Sequence, residues 1–437
     1  MYYVMINYHK TEIDHYSLGR SGQGDKMKNL RDFPSLQDAV DASAENEVIL
    51  IPAGEWHCGA ARLKSSLTLR FEPGAVLIAP SELKDYLDSD ILAGCSLDHY
   101  FIGADHAENI TIEGDGRIEL EGHHFWPDFD GAPWPRDDDF QRGPNGFYKP
   151  VFHSAPYRPV GILLTNCRNV NLTGFTLRNA ASYTVWALGC SQVRIDRVNI
   201  ENHRRGPNTD GFDIDCCRDV RISGCRLCTG DDAIALKSDI SRLGRDMPCE
   251  RIHLQGNTLS STCCAVRIGY EGDGAIRDVI VSDNIIHDCN IGYDLLSVIP
   301  WRNGKRRGID HGAKIENIIF GNTVMRDVRQ PIKVWSGTDE PETVPAYRGY
   351  IRHIHFSDME IDATDSSFIG GLNVSDISLD NIAFRIVRDP RVYRDAKPVA
   401  MTDVWGRGYL PDPLTVYQVE NLSRTNVSVS ESFNGEQ

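Results

Sequence analysis

The sequence of 437 residues lacks any long hydrophobic run, which excludes a helical membrane span. No segment has the roughly 20 consecutive apolar residues that a bilayer requires. Basic residues are also scarce relative to acidic ones, with 46 Lys and Arg against 62 Asp and Glu and a formal net charge of −16. Nucleic acid and anionic membranes repel a chain this acidic, so we predict neither as a partner.

The first ten residues lack the features of a secretory signal peptide. They read Met1-Tyr2-Tyr3-Val4-Met5-Ile6-Asn7-Tyr8-His9-Lys10, with no charged start followed by an apolar run. If the sequence is full-length, we expect a cytoplasmic protein whose substrates are imported.

The 12 cysteines do not have the pattern of a disulfide framework. Cys167, Cys190 and Cys217 share one phase of a repeat described below, where free thiols would stack as small apolar side chains. The Cys225-x-x-Cys228 spacing is found in zinc sites, but adjacent strand residues point to opposite faces and would divide such a cluster. We therefore predict no metal and no other cofactor.

Helical periodicity is almost absent, and a shorter pattern recurs instead: a polar turn residue followed by alternating apolar positions. Copies begin at or near Glu108, Cys167, Cys190, Cys217, Arg251, Ile276, Ile315, Ile351 and Leu372. Alternation with period two predicts strands with one buried face. No unit is apolar enough to close a core alone, so the units must stack. The sequence predicts an all-β parallel solenoid, with residues 1–437 as a single domain.

The two ends of the repeat predict caps. Residues 34–42 have helical apolar spacing at Leu36, Ala39, Val40 and Ala42, with Ser35 as N-cap. We expect the N-terminal cap and first rung over about residues 30–50, covering an otherwise exposed sheet edge. After about residue 388 the repeat is lost, so residues 388–437 are interpreted as a C-terminal cap and tail.

Three aspartates stand between glycines where short strands are expected. The segments are Asn208-Thr209-Asp210-Gly211 and Gly230-Asp231-Asp232, the latter continuing to Lys237. Strands disfavour Asp and like charges repel, so folding gives little reason for this cluster. Asp210 and Asp231 are about one coil apart, which predicts adjacent rungs about 4.8 Å apart, the same outward face and Asp232 nearby. A pair of carboxyls flanking a scissile bond is what a glycosidase needs.

These two segments resemble the most specific motifs of glycoside hydrolase family 28, the polygalacturonase-like enzymes. The likeness covers most of the chain, including 51–54, 67–77, 112–118 and 158–179. It implies a single-stranded right-handed parallel β-helix and hydrolysis with inversion at the anomeric carbon. Asp231 matches the general acid, and Asp210 and Asp232 match the pair that activates water.

Two departures from the family bear on the substrate. Cys264 stands near the His of the family's Gly-His-Gly element, and Asp294 and Leu296 stand where the family has Arg-Ile-Lys, which grips a galacturonate carboxylate. An Asp would repel such a sugar. We therefore predict weak or no activity on polygalacturonic acid, and a short oligosaccharide with a neutral sugar or another uronate linkage as substrate. Glu271 resembles the Gly-x-Glu of bacterial members with exo or rhamnogalacturonan-type activity.

The remaining candidates for sugar contact are cations, aromatic residues and polar neighbours of the aspartates. The substrate-binding residues we predict are Asn208, Lys237, Arg267, Glu271, His203, Asp294, Trp301 and Trp335. Arg267 is the predicted anion contact, and the basic run 302–307 either folds over the cleft or is a solvated surface. The tryptophans either form sugar platforms or pack on the solenoid flank. An insertion at 121–157 would wall one end of the cleft, which favours exo action.

The predicted function is a pectin-type glycoside hydrolase acting on oligosaccharides, with the oligomeric state open. Two alternatives remain. A β-helix polysaccharide lyase would use calcium and a basic residue, but it gives no reason for the two aspartate motifs. A non-catalytic carbohydrate-binding solenoid would not depend on Asp231 for any turnover.

Overall fold

The structure is a computed structural model that describes residues 27–131, 151–299, 301–302, 305–306, 309–338, 341–388, 410 and 412–433. Within these residues, the chain is a right-handed parallel β-helix, as the repeat and the family resemblance predicted. Twenty-nine strands belong to one hydrogen-bonded system, and two more form a small antiparallel pair. No helix among the described residues is both long enough and apolar enough to span a membrane.

The N-terminal part contains helix α1 (Leu36–Ala42) and ten strands. These strands are β1 (Met27–Asn29), β2 (Glu47–Ile51), β3 (Gly54–His57), β4 (Ala61–Arg62), β5 (Leu67–Phe71), β6 (Ala75–Ile78), β7 (Leu87–Asp88), β8 (His99–Asp105), β9 (Glu108–Gly114) and β10 (Arg117–Glu119). Short 3-10 turns cover Leu30–Asp32, Leu83–Asp85, Asp90–Leu92 and Gly122–Phe125.

The central coils contain helix α2 (Ile240–Leu243) and fourteen strands. These strands are β11 (Val160–Thr165), β12 (Arg168–Thr173), β13 (Thr176–Arg178), β14 (Val185–Leu188), β15 (Ser191–Asp196), β16 (Asn199–Glu201), β17 (Phe212–Asp215), β18 (Arg218–Ser223), β19 (Arg226–Thr229), β20 (Ile234–Lys237), β21 (Cys249–Gln255), β22 (Thr258–Ser261), β23 (Cys264–Gly269) and β24 (Ala275–Ser282).

The last coils have longer strands that bend around the solenoid. They are β25 (Ile285–Ile299), β28 (Lys314–Thr338), β29 (Tyr350–Ala363), β30 (Ser367–Arg388) and β31 (Leu414–Phe433), with the small pair β26 (Trp301–Arg302) and β27 (Lys305–Arg306) between them. A 3-10 turn covers Pro341–Ala346.

Each central coil contributes three strands, and equivalent strands stack in register. The first strands of successive coils, β11, β14, β17, β20 and β23, pair in parallel one above the next. Inward-facing residues of this stack form a continuous apolar column that includes Ile162, Val185, Phe212, Ile234 and Val266. Because alternate residues face inward, the same register places the outward-facing side chains of the stack in one line along the surface.

The turns of the solenoid explain the polar residues that begin each repeat. Asn109 and Asn169 have positive φ angles of 59° and 54°, a conformation that Asn tolerates better than most residues. The Nδ2 of Asn169 donates to Oδ1 of Asn109 at 2.7 Å, linking successive turns. Cys167 and Cys190 stack in the interior, as predicted, and the backbone N–H of Cys167 donates to the Cys190 thiol at 3.3 Å.

The N-terminal cap matches the sequence prediction, whereas the C-terminal segment differs from it. Ser35 caps α1, its hydroxyl oxygen accepting from the backbone N–H of Asp38 at 3.1 Å, and Leu36, Ala39 and Val40 are buried. Residues 414–433, however, are not an irregular tail. They form β31, which pairs in parallel with β30 along most of its length. The strand is largely exposed, which explains why its apolar pattern is too weak to recognise in the sequence.

Candidate active site

The catalytic candidates lie where β17 and β20 begin. The two strands pair with Phe212 opposite Ile234, and the backbone N–H of Gly211 donates to the carbonyl of Asp232 at 2.8 Å. This register puts Asp210 beside Asp232 on the adjacent rung, with Asp231 one residue earlier. The predicted placement of the two motifs on neighbouring rungs is therefore observed.

The three carboxyl groups converge in one cleft. One oxygen from each of Asp210, Asp231 and Asp232 lies within 4.8 Å of the other two, and all three residues line the same cavity of about 340 Å³. Asp210 and Asp232 are buried, whereas Asp231 is more exposed. The nearest oxygens of the three groups are thus closer together than the roughly 6.5–9.5 Å that usually separates the two carboxyl groups of an inverting pair.

Asn208 and Arg158 hold the loop that carries the first motif. The Nη2 of Arg158 donates to Oδ1 of Asn208 at 2.9 Å, and its Nη1 donates to the carbonyl of Pro207 at 2.5 Å. Nδ2 of Asn208 then donates to Asp231 at 3.5 Å. Asn208 thus lies in the cleft as predicted and orients Asp231. The sequence did not identify Arg158 as a site residue. Its one indication was that it stands in a segment that resembles the family, 50 residues before Asn208.

Lys237 is the central cation on the other side of the cleft. Its Nζ lies 2.7 Å from Asp213, 3.6 Å from Asp210 and 3.8 Å from Glu271. It also donates to the hydroxyl of Tyr183 at 2.8 Å. Lys237 and Glu271 therefore lie in the cleft as predicted, and Asp213 beneath it was missed. The alternation of the strand could have identified Asp213, because its neighbour Ile214 faces the core and Asp213 must therefore face outward.

Arg267 binds the second motif from the next rung. Its Nε lies 2.9 Å from Oδ2 of Asp232, and its Nη2 lies 3.4 Å from Oδ2 of Asp294. The same Nη2 donates to the thiol sulfurs of Cys264 at 2.8 Å and Cys263 at 3.2 Å. Arg267 thus lines the cleft, but its guanidinium is already surrounded by protein acceptors.

Burial is the main cause of the altered protonation in this cleft. Burial, with Asp213 and Asp231 nearby, raises the pKa of Asp210 well above its usual range. Burial raises the pKa of Asp213 to about 7, although Lys237 opposes the shift. Burial also raises the pKa of Asp232 to about 6, with the Arg267 charge acting in the opposite direction. Asp232 therefore changes its protonation on the acidic side of neutrality, and Asp210 keeps its proton to a higher pH than an ordinary carboxyl does.

Comparison with known proteins decides the family. Residues 44–337, more than half of the chain, match glycosyl hydrolases family 28. The chain belongs to glycosyl hydrolases family 28. A probable polygalacturonase of Vitis vinifera is 26% identical over 314 residues, covering 68% of this chain and 57% of that protein. The chain spans about half the length of the curated relatives that it matches.

Solved structures of family 28 members share the fold. The family 28 exopolygalacturonase of Yersinia enterocolitica has a TM-score of 0.66 at 18% identity, covering 94% of this chain and 78% of that one. The exopolygalacturonase of Thermotoga maritima has a TM-score of 0.65 at 21% identity, covering 83% of this chain and 87% of that one. At these identities the likeness establishes the β-helix and nothing further.

Asp294 and Leu296, which stand where the family 28 motif has its two cations, do not face the cleft. We predicted that Asp294 faces the substrate and repels an acidic sugar. This is wrong, because Asp294 is 0% exposed and lies between Arg267 and Lys333, whose Nζ is 3.8 Å from its Oδ1. Leu296 is also buried, in a cluster with Tyr270. The rung therefore presents no charge of its own to a sugar.

Two other predicted sugar contacts, His203 and Trp335, are not in the cleft of this family 28 protein. His203 is buried among Trp126, Phe129 and Phe152, at ring distances of 5.2–6.0 Å, so it anchors the loop before Asn208. Trp335 is buried against Leu296 and Phe368 and packs on the flank. The side chains of Trp301 and of the basic run 302–307 lie outside what the structure describes, so their roles stay predictions.

Tyr270 is a cleft residue that the sequence did not single out. It lines the cavity and has a positive φ of 73°, an unusual conformation for a bulky residue that often marks a functional position. Its ring lies 5.5 Å from the Arg267 guanidinium. A positive φ outside Gly and Asn has no reliable sequence signal, so only the structure could identify this residue.

Proposed function

We propose that the chain is a glycoside hydrolase that cleaves short pectin-type or related oligosaccharides by acid–base catalysis with inversion. The observation that carries the proposal is the convergence of Asp210, Asp231 and Asp232 in one cleft. Asp231, the most exposed of the three, protonates the leaving oxygen. Asp210 and Asp232 bind the attacking water and accept its proton.

The charges of the cleft support a substrate that is not a uniform polyanion. Among the described residues, six carboxyl groups and four cations line it. Each of these cations already contacts protein acceptors: Arg158 binds Asn208, Lys237 binds Asp213, Arg242 binds Asp239 and Arg267 binds Asp232. A galacturonate carboxylate at the cleavage point would need a cation released from one of these pairs. A neutral sugar there, or a uronate held from another direction, avoids that cost.

Exo action is supported by the size of the cleft. A volume of about 340 Å³ is at the low end for ligand sites and suits the end of a chain better than its middle. Two of the similar structures are named exopolygalacturonases. The proposal includes a cytoplasmic location with imported oligosaccharides as substrates, which fractionation of the producing cells tests.

The experiment is a screen of matched oligosaccharides against the wild type and Asp231→Asn. The panel contains polygalacturonate, galacturonate oligomers, rhamnogalacturonan oligomers and neutral pectic side chains. We expect hydrolysis of at least one short oligosaccharide by the wild type alone. A product that absorbs in the ultraviolet would instead indicate a lyase, and turnover that survives Asp231→Asn would remove Asp231 from the mechanism.

A further inference from the structure

Four buried side chains of alternating charge extend from the catalytic centre along successive rungs. Asp232 contacts Arg267, Arg267 contacts Asp294, and Asp294 contacts Lys333, at 2.9, 3.4 and 3.8 Å. The order follows from the strand register, because Arg267 stands opposite Asp294 and Asp294 opposite Lys333. We call these residues the charge ladder.

The charge ladder is buried over its whole length, although Asp232 and Arg267 reach the cleft. Asp232 is 4% exposed, Arg267 is 3% exposed, and Asp294 and Lys333 are both 0% exposed. Charges in such an environment are poorly screened, so each strongly affects its neighbours. Asp294 and Lys333 are not among the described residues that line the cleft, and Arg267 lies between Asp294 and Asp232.

The guanidinium of Arg267 forms ion pairs with two carboxylates at once. Its Nε side is directed to Asp232 and its Nη2 side to Asp294. Any change in the charge on Asp294 therefore changes how strongly Arg267 favours the ionised form of Asp232. Lys333 in turn offsets the charge of Asp294 from the far side.

We propose that Asp294 and Lys333 are positioning residues that set the protonation of Asp232 through Arg267. The proposal rests on the proposed function only in taking Asp232 as a base of the reaction. It also explains why a rung that holds two substrate-gripping cations elsewhere in the family has neither here. Here that rung holds Asp294, which is the counter-ion of Arg267 on the preceding rung.

The charged and titratable groups around Asp232 allow a clear sign to be derived. They are Arg267, Lys237, Asp231, Asp210 and the thiol Cys263, with Cys264 beside Arg267. Replacing Asp294 by Asn removes a negative charge behind Arg267, so the titration midpoint of Asp232 falls. Replacing Lys333 by Met removes a positive charge from the far side of Asp294, so the midpoint of Asp232 rises. A merely structural role would not give shifts of opposite sign.

The direct readout is carbon-13 NMR of protein labelled at the aspartate carboxyl carbons, with Asp232→Asn used to assign the signal. We expect Asp294→Asn to lower the midpoint by about 0.5–1 pH unit and Lys333→Met to raise it by a similar amount. The double variant Asp294→Leu with Lys333→Met removes both charges and should return the midpoint close to the wild-type value. If a single variant fails to fold, the double variant can still be measured, because an apolar pair can replace a buried ion pair without loss of stability.

Glu316→Gln is the matched control. Glu316 lies on the same strand as Lys333 but outside the cleft, and the substitution breaks its ion pair with Arg352. It should leave the midpoint unchanged. The acid limb of kcat/KM, measured on an oligosaccharide that the wild type hydrolyses, should move with the NMR midpoint.

The two proposals fail in different ways. If the midpoints shift as expected but no oligosaccharide is hydrolysed, the charge ladder stands and the proposed function is wrong. If hydrolysis occurs but Asp294→Asn and Lys333→Met shift the Asp232 midpoint in the same direction, or not at all, the charge ladder does not act on Asp232.

Discussion

Asp210 and Asp232 lie side by side on adjacent rungs, joined by the backbone bond from the Gly211 N–H to the Asp232 carbonyl at 2.8 Å. The two carboxyls are both buried, and burial, with the charge of Asp232 as a smaller cause, raises the pKa of Asp210. Lys237 lies near Asp210, and Arg267 pairs with Asp232. The two buried acids therefore each have a cation beside them, whereas Asp231 is more exposed to solvent.

Replacing Asp231 should remove the proton donor without disturbing the fold. We expect Asp231→Asn to lower kcat by about 100- to 10,000-fold, because the amide cannot protonate the leaving oxygen. Kinetics on the best oligosaccharide of the screen measure the loss. Asp278→Asn, an exposed change on β24, is the control and should keep wild-type activity. A residual rate within threefold of the wild type would exclude Asp231 as the acid.

The product should be released with inverted configuration at the anomeric carbon. The close carboxyl oxygens of the three aspartates would by themselves be closer to the spacing of a retaining enzyme, so the prediction relies on the family and not on this distance. Proton NMR during the first minutes of hydrolysis identifies the anomer before mutarotation. Retained configuration, or trapping of a glycosyl-enzyme intermediate, would contradict it.

Activity should decline on the acidic side of neutrality. Burial raises the pKa of Asp232 to about 6 and also raises that of Asp210, and protonating either group removes the base. Since kcat/KM reports the free enzyme, its acid limb should have a midpoint at pH 6 or above, with about a tenfold loss per pH unit below it. A limb centred below about pH 5 would show that neither buried aspartate is the base.

Removing Lys237 should destabilise the protein, and most strongly at neutral pH. Lys237→Met leaves Asp213 and Asp210 without their common cation, which we expect to cost about 3–5 kcal/mol in the free energy of unfolding at pH 7. Burial already raises the pKa of Asp213 to about 7, and without Lys237 it rises further.

The pH dependence of that loss follows from proton linkage. A carboxyl whose pKa is raised in the folded state binds its proton there more readily than in the unfolded chain. The variant therefore gains stability as the pH falls from about 7 toward about 4. Urea unfolding at pH 7 and pH 5 measures this. Arg251→Met, which breaks the exposed ion pair with Asp219, should change stability by less than about 1 kcal/mol at both values. A Lys237→Met variant whose own stability does not rise between pH 7 and pH 5 would contradict the linkage.

Polygalacturonate should remain a poor substrate even when a cation is set free. Asp294→Asn releases one of the two carboxylates that hold Arg267, but Asp232 still binds it, so we expect less than a tenfold gain on galacturonate oligomers. Competitive assays of neutral and acidic oligosaccharides with the wild type and this variant provide the test. Robust hydrolysis of polygalacturonate by the wild type would show that the missing cation pair is functionally replaced.

The sequence by itself determined the architecture and the chemical groups of the site. Alternation with period two can be recognised in each repeat because the interior excludes water, and the turn residues such as Asn109 and Asn169 mark where the backbone must take a positive φ. The helix from Leu36 was predictable from its cap and its apolar spacing. The two aspartate motifs identified Asp210, Asp231 and Asp232, and the alternation of β20 correctly directed Lys237 outward.

Only the tertiary structure decided which of these side chains meet. Inserted loops change the length of each coil, so sequence spacing does not give the register between rungs. That register pairs Asp210 with Asp232 and puts Asp294 behind Arg267. The burial of outward-facing residues could not be predicted either. The alternation pattern is the same whether an outward-facing side chain is solvated or is covered by a neighbouring loop or rung. Asp294, His203 and Trp335 were therefore expected at the substrate and lie inside the protein, because contacts between distant parts of the chain determine which outward positions reach water.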